Sequence, residues 1–222
     1  MTEKFGMTSW DEVEFKSNNF TRGKDQYMRL DGGSNRMRIV TRPAQYHVHA
    51  FKEEGDAGFG EKIRCSFPAH NECPLCAMGS KQKNRWFVGI IDRKTQTYKI
   101  LDIGQSVFKE IQAYSRNEDW GDPMKYDIDL VVDKKGGASG YYKVIAIPAK
   151  PLTEADLAIK KDIDHEYLQK KCTPPTPLQV QEDVDRYRAK RGKGPMSVSS
   201  HTAASMASGG GGEDEMDFPA VN

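Results

Sequence analysis

Alternating apolar and polar positions dominate the first 150 residues of the chain. Residues 36–40 (RMRIV) place Arg36 and Arg38 on one side of a predicted strand and apolar side chains on the other, and residues 46–51 (YHVHAF) alternate in the same way. A nearly continuous apolar run at 85–91 (RWFVGII) is typical of a strand that is buried on both faces. These three stretches predict strands of one sheet.

The following residues predict two hairpins and a helix. Residues 97–103 follow the apolar run after a short polar turn, and the glycine-rich stretch 134–140 joins two more strand-like segments, 126–132 and 141–147. From 104 to 114, apolar residues recur at the spacing of an amphipathic helix of about three turns.

This pattern predicts a mainly β fold, a small β-barrel with one internal helix, because strands and helices do not alternate as they do in a parallel α/β sheet. Thr153 and Asp156 match a capping box that opens a charged helix reaching about residue 171, and further helical sequence follows. We expect four parts in order: a loosely attached arm (1–30), the barrel core (31–150), a helical extension (151–191), and a flexible linker with an acidic tail (192–222).

Composition narrows the class of protein. The 222 residues are 37% hydrophobic and 29% charged, and no stretch approaches the ~18 apolar residues that a bilayer-spanning helix needs. The N-terminus has no apolar signal segment, so an intracellular, reducing location is expected. Residues 36–116 hold 14 Lys and Arg against 8 Asp and Glu, whereas residues 213–222 hold four acids and no base. A basic body with an acidic tip is the first indication of function.

Three clustered cysteines indicate a metal site. Cys73 and Cys76 form a C-x-x-C turn, and Cys65 lies a short loop upstream, which is a spacing that suits zinc in a reducing compartment. Four protein ligands would make the site structural rather than hydrolytic. A redox pair or unligated buried thiols are the alternatives, and Cys172 is expected to be an incidental thiol. Spacing leaves three candidates for the fourth ligand, His47, His49 and His70.

The order of these motifs resembles the single-stranded DNA-binding proteins of T-even phages. The resemblance is carried by residues 48–51 (VHAF), then Cys65, then residues 71–76 (NECPLC), then Arg85 and Trp86. It implies an OB-fold with an embedded zinc subdomain at about 46–84, and it implies one structural Zn²⁺ held by His49, Cys65, Cys73 and Cys76, with His70 not a ligand.

The resemblance also implies a function. Members of this family coat unwound single-stranded DNA with little sequence specificity during phage DNA replication, recombination and repair, in the cytoplasm of the infected bacterial host. Self-association on DNA is among the expected interactions. The basic N-terminal segment that mediates it in the family is reduced here to Lys4 and Lys16 within residues 1–20.

Binding a single strand without sequence preference requires cations for the phosphates and aromatic rings for the bases. The expected phosphate contacts are Arg36, Arg38, Arg42, Lys62, Arg64, Lys81, Lys83, Arg85 and Lys99. The expected base contacts are Tyr46, Trp86, Tyr98 and Tyr142. The apolar neighbours of Trp86, Phe87 and Phe108 are also typical of core residues.

The acidic tip resembles the acidic-aromatic C-terminus of bacterial single-stranded DNA-binding proteins. It is expected to recruit replication and recombination proteins, such as a polymerase, a helicase or primase, or a recombinase. The residues that would do so are Glu213, Asp214, Glu215, Asp217 and Phe218.

No catalytic constellation is visible in the sequence. Asp127 and Asp129 share a strand face, but the alternation of their strand predicts that both face solvent. No P-loop or nucleophile motif is present, so the chain is not expected to be an enzyme. The alternative to DNA coating is a zinc-dependent transcription-regulatory module, or one that binds RNA or protein.

Overall fold

The computed structural model describes residues 26–57, 60–67 and 72–196. Within these ranges the chain forms one sheet of seven antiparallel strands with six α-helices and a 3-10 helix at Pro123–Lys125. The strands are β1 (Arg36–Ile39), β2 (Ala44–Phe51), β3 (Glu61–Arg64), β4 (Gln82–Asp92), β5 (Thr97–Ile103), β6 (Asp127–Val132) and β7 (Tyr142–Ala146). The helices are α1 (Pro74–Ala77), α2 (Gln105–Arg116), α3 (Gly137–Gly140), α4 (Glu154–Lys161), α5 (His165–Cys172) and α6 (Pro177–Ala189).

The long strand β4 organises the sheet. One of its edges pairs first with β2 and then with β1, and the other edge pairs with β5. The neighbours run in the order β3, β2, β4, β1, β6, β7. Between β1 and β2 the chain bends at Thr41, whose hydroxyl accepts a 2.7 Å hydrogen bond from the backbone N–H of Gly89. A Cβ at Gly89 would lie 2.6 Å from the Thr41 methyl group, so only glycine allows this close approach.

The main core lies between the inner face of the sheet and α2. Fourteen buried residues from all strands except β2 and β3, from α2 and from adjoining segments form one cluster. Trp86 stacks in parallel on Phe108, with ring centroids 3.9 Å apart and an angle of 8° between the rings. The amphipathic helix predicted from the apolar spacing is therefore confirmed, and so is the core position of these two rings.

Residues 26–30, which were expected to belong to a loosely attached arm, are part of the packed structure. Met28 is buried in the main core, and its backbone N–H donates a 2.8 Å hydrogen bond to the carbonyl of Ile100 on β5. The prediction was wrong here because mostly polar residues surround Met28 in the sequence, so its burial in the core was not apparent. Residues 1–25 lie outside the described residues.

The helical extension is not one long helix followed by a short one. The charged helix expected to reach residue 171 is divided into α4 and α5, because Asp164 accepts hydrogen bonds from the backbone N–H groups of Glu166 and Tyr167 and starts a new helix. The predicted capping box of Thr153 and Asp156 is confirmed at the start of α4. None of the helices described is both long enough and apolar enough to cross a membrane.

Candidate functional site

Four metal-ligating side chains converge at one end of the sheet. His49 comes from β2, Cys65 directly follows β3, Cys73 precedes α1, and Cys76 lies within α1. Their ligand atoms all lie within 4.8 Å of one another. The Nε2 atom of His49 is 3.5 Å from the Sγ of Cys73 and 3.6 Å from that of Cys76, and the Sγ atoms of Cys65 and Cys76 are 3.7 Å apart.

These separations suit a tetrahedral metal ion. With Zn–S bonds of about 2.3 Å and a Zn–N bond of about 2.0 Å, tetrahedral angles place two sulfurs about 3.8 Å apart, and a sulfur and a nitrogen about 3.5 Å apart. The observed distances of 3.5, 3.6 and 3.7 Å agree with that geometry. The four residues could therefore hold a metal ion, and their donor atoms are compatible with zinc.

The local sequence explains how the thiols reach this position. Pro74 occupies the first turn of α1, where a missing N–H costs no hydrogen bond. The backbone N–H of Ala77 bonds to the carbonyl of Cys73 at 2.9 Å, which closes the turn that carries both cysteines. Gly79, with φ of 77°, then turns the chain back toward β4.

Neighbouring donors complete the surroundings of the ligands. The side-chain amide of Gln82 donates to the Sγ of Cys76 at 3.0 Å, and the backbone N–H of Phe67 donates to the Sγ of Cys65 at 3.4 Å. The hydroxyl of Ser80 lies 3.2 Å from Nδ1 of His49, which leaves Nε2 directed toward the sulfurs. Such interactions orient ligands and stabilise thiolates.

Burial and hydrogen bonds shift the pKa values of His49, Cys65 and Cys73. Burial raises the pKa of the Cys65 thiol to about 12 and lowers the pKa of His49, which favours a neutral imidazole. Burial also acts to raise the pKa of Cys73, but hydrogen bonds from the backbone of Ser66 and Cys76 outweigh it, so the pKa of Cys73 is lowered. Binding of a cation would therefore displace a proton from Cys65.

Helix α6 covers the metal-binding end of the sheet. We call the described residues between 46 and 84 the metal module. Val180, Val184 and Tyr187 are fully buried against it, in a cluster with Phe51, Ile63, Cys65, Cys73 and Leu75. The hydroxyl of Tyr187 also donates a 2.6 Å hydrogen bond to Asp56. This packing was not predicted, although apolar residues at 180, 184 and 187 form one helical face and could have indicated it.

The other histidine and cysteine candidates resolve as follows. His47 lies outside the cluster, His70 lies outside the described residues, and Cys172 lies away from the cluster on α5. The Cys172 thiol donates to the carbonyl of Ala44 at 3.3 Å, which agrees with the expectation of an incidental thiol.

Five predicted DNA contacts share one face of β3, β2 and β4. Residues that pair directly across antiparallel strands lie on the same face. Val48 pairs with Arg64 on one side and Lys83 on the other, and Tyr46 pairs with Arg85. The same alternation adds one more lysine, so the group that we call the basic face consists of Lys62, Arg64, Lys83 and Arg85 around the ring of Tyr46.

The carboxylate of Asp102 is bonded to this face. It accepts hydrogen bonds from Lys62 at 2.9 Å, from Arg85 at 2.8 Å and from the Tyr46 hydroxyl at 2.8 Å. The guanidinium of Arg64 lies 5.4 Å from the centroid of the Tyr46 ring. Basic side chains therefore outnumber acidic ones among these five charged groups.

Two rings predicted to stack on bases are buried instead. Tyr46 stacks on Phe87 with centroids 4.3 Å apart, Leu168 of α5 packs on the same cluster, and burial raises the pKa of the Tyr46 phenol far above its ordinary value. Trp86 points into the main core. The sequence could not show the burial of Tyr46, because α5 is far away along the chain, whereas the apolar neighbours of Trp86 did indicate its core position.

Arg36, Arg38 and Lys99 lie in a second region, around Asp127 and Asp92. Asp127 is buried and accepts from Arg38 at 2.7 Å and Arg36 at 3.1 Å, so the expectation that it faces solvent was wrong. Lys99 pairs with Asp92 at 2.6 Å. The register that pairs Arg38 with Asp127 across β1 and β6 places these opposite charges together on the same side of the sheet.

The remaining predicted DNA-binding residues are dispersed. Arg42 and Lys81 are exposed, Tyr98 is half-buried, and Tyr142 is half-buried with its ring 4.7 Å from that of Tyr141. The predicted partner-binding residues Glu213, Asp214, Glu215, Asp217 and Phe218 lie outside the described residues.

Comparisons of the chain with protein families, with curated proteins and with solved structures found no match.

Proposed function

We propose that this protein binds single-stranded DNA and coats it with little sequence preference. The observation that carries the proposal is the basic face, where the half-buried Lys62, Arg64 and Lys83 lie on adjacent strands beside the buried guanidinium of Arg85. Cations at strand spacing suit the repeating phosphates of an extended strand. Coating of DNA requires no reacting group, so the proposed mechanism is binding alone.

The strand connectivity supports an OB-type barrel. If β1 and β2 are taken as one bent strand, the sheet runs β5, β4, β1–β2, β6, β7, with α2 between β5 and β6. Five antiparallel strands with a helix before the fourth are the arrangement expected of an OB-fold, whose sheet surface and loops bind oligonucleotides. The segment between β2 and β4, which carries β3 and α1, is then an insertion after the first strand.

We assign zinc to the metal module as a structural ion. His49, Cys65, Cys73 and Cys76 would fill all four positions of a tetrahedral ion and leave none for substrate. Held by these four residues, the ion would supply folding energy rather than Lewis-acid chemistry. It would reinforce the pairing of β3 with β2, which carries Lys62 and Arg64 in the basic face.

The acidic residues 213–222 are proposed to recruit replication and recombination proteins in an infected bacterial cell. Four acids and no base in this segment suit a basic pocket on a partner. In the absence of a partner the same segment competes with DNA for the basic face. This part of the proposal rests on charge and on the resemblance to phage and bacterial single-stranded DNA-binding proteins.

The test is a fluorescence-anisotropy titration of labelled oligo-dT and of a duplex, across a salt series, with the whole chain and with a variant lacking residues 213–222. We expect tighter binding to the single strand, affinity that falls with salt, and stronger binding after removal of the tail. Equal binding to duplex, or a strong preference for one sequence, would contradict the proposal and favour the regulatory module.

A further inference from the structure

A large polar cavity lies apart from the basic face. It has a volume of about 870 Å³ and is bounded by the segment after Met28, by β1, by the turn between β4 and β5, and by the start of α4. This volume is within the range of pockets that hold small ligands, roughly 300–1,000 Å³.

The cavity carries an excess of positive charge. Seven Lys and Arg side chains and four Asp side chains line it, and seven minus four gives a net charge of +3. Two lysines each form an ion pair with one aspartate, Lys94 with Asp31 at 2.8 Å and Lys99 with Asp92 at 2.6 Å. The excess therefore comes from the remaining groups.

Three guanidinium groups share the two other carboxylates. Asp127 accepts from Arg36, Arg38 and Arg93, and Asp156 accepts from Arg93 at 2.6 Å. Both carboxylates are almost completely buried, so they hold these arginines in fixed orientations. Neutralisation is incomplete, since three positive charges meet two negative ones.

Donors remain available in this cluster. Arg38 is 2% exposed and uses Nε toward Asp127 and Nη2 toward the carbonyl of Lys150, and within the described residues its Nη1 has no partner. The Nη1 of Arg36 is likewise free within those ranges. At the rim, the exposed side chains of Arg29 and Lys150 have no carboxylate partner among the described residues.

We propose that this cavity binds the phosphate group of a nucleotide. Fixed guanidinium groups with spare N–H donors bind phosphate through charge-assisted, often bidentate hydrogen bonds, and the lysine at the rim adds a point charge. The nucleotide is either a free one or the terminal residue of a strand. The site differs in its residues from the basic face, so it stands or falls separately from single-strand coating.

The experiment is isothermal titration calorimetry of the whole zinc-loaded chain with pyrophosphate, with dTMP and with thymidine. We expect saturable binding of the first two at one site, and none of thymidine. The double variant Arg29→Gln, Lys150→Gln should bind dTMP about tenfold more weakly, because it removes two cations at the rim. It leaves the buried arginines and the Lys150 carbonyl in place.

The matched control is Lys109→Gln, Lys125→Gln, which makes the same charge change at exposed positions that do not line the cavity. It should alter dTMP affinity less than twofold. Oligo-dT with a 5′-phosphate is then compared with oligo-dT with a 5′-hydroxyl group. Tighter binding of the phosphorylated strand indicates that the cavity binds a strand end, and equal affinities indicate that it binds a free nucleotide.

Two results would overturn the proposal: no saturable binding of pyrophosphate or dTMP, or equal weakening in both double variants. Neither result bears on single-strand coating. Coating is measured as the affinity for oligo-dT, whose internal phosphates are proposed to contact the basic face. Failure of the two proposals is therefore distinguishable.

Discussion

The main core and the metal module are stabilised in different ways. The main core has fourteen buried residues drawn from five strands and α2. The buried cluster of the metal module has eight, of which two are ligand cysteines and three belong to α6. Apolar burial dominates the first region, whereas the second brings together four side chains that could hold a metal ion and packs against a helix from the C-terminal part of the chain.

The difference indicates where the proposed DNA binding would depend on local stability. Lys62 and Arg64 lie on β3, which pairs only with β2 among the described strands. The positions of Lys62 and Arg64 in the basic face therefore depend on the metal module. Changes to the metal module should affect DNA binding, and changes confined to the main core should affect global stability first.

Removal of the metal should have the largest effect. Cys73→Ser removes one of four ligands, and structural zinc contributes about 10–16 kcal/mol in small zinc domains. We expect amides of β3 and α6 to lose hydrogen-exchange protection while those of β5 and β6 keep theirs. Cys172→Ser, which changes a cysteine outside the cluster, is the control. Uniform loss of protection across both regions would refute the distinction.

Asp127→Asn should strongly destabilise the fold without affecting zinc content. It leaves the buried guanidinium of Arg38 without its anionic partner, and such changes cost about 3–5 kcal/mol. Chemical denaturation measures this cost, and zinc analysis should give the stoichiometry of the unchanged protein. The exposed Asp119→Asn serves as the control. A cost as small as that of the control would show that Asp127 is not a structural acceptor.

A pair of matched core substitutions separates the two regions. Val184→Ala in α6 and Val144→Ala in β7 each remove two buried carbons, at a cost of about 2 kcal/mol. Only Val184→Ala should weaken zinc binding in competition with a chelator, because Val184 packs in the cluster that contains Cys65 and Cys73. Equal zinc affinities in the two variants would contradict the role given to α6.

The smallest expected effect is a pH dependence. Burial acts to raise the pKa of Asp156, but its hydrogen bond from Arg93 and the capping interaction with Thr153 outweigh burial and lower the pKa. Its stabilising contribution is therefore present above the unfolded pKa of about 3.9 and is lost as pH falls through the lower folded value.

As pH falls from about 5 to about 2, the free energy of unfolding should consequently decrease less in Asp156→Asn than in the unchanged protein. The expected difference is about 1 kcal/mol. The difference between the two unfolding curves cancels every contribution that the two proteins share. Parallel curves over this range would show that the Asp156 carboxylate contributes nothing to acid stability.

Local patterns allowed much of the fold to be predicted. The apolar run of β4, the alternation of β6 and β7 and the helical spacing of α2 each depend on neighbours within about ten residues. The C-x-x-C turn identified Cys73 and Cys76, and the resemblance selected His49, which the structure brings to the same cluster.

What the sequence did not reveal depends on distant partners. Asp127 and Arg93 are 34 residues apart, and Arg93 and Asp156 are 63 residues apart, so no local alternation indicates their pairing. The burial of Tyr46 beneath α5 has the same origin. Strand periodicity predicts that a side chain leaves the sheet on one face, but not what later part of the chain covers that face.

The central claim is that the basic face binds single-stranded DNA. The most direct test compares the double variant Arg64→Gln, Lys83→Gln with the control double variant Lys109→Gln, Lys125→Gln. The measurement is oligo-dT affinity as a function of salt. We predict that the slope of log affinity against log salt becomes shallower by about 0.7 for each phosphate that is no longer neutralised, in the basic-face variant alone. Identical slopes and affinities in the two double variants would contradict the account.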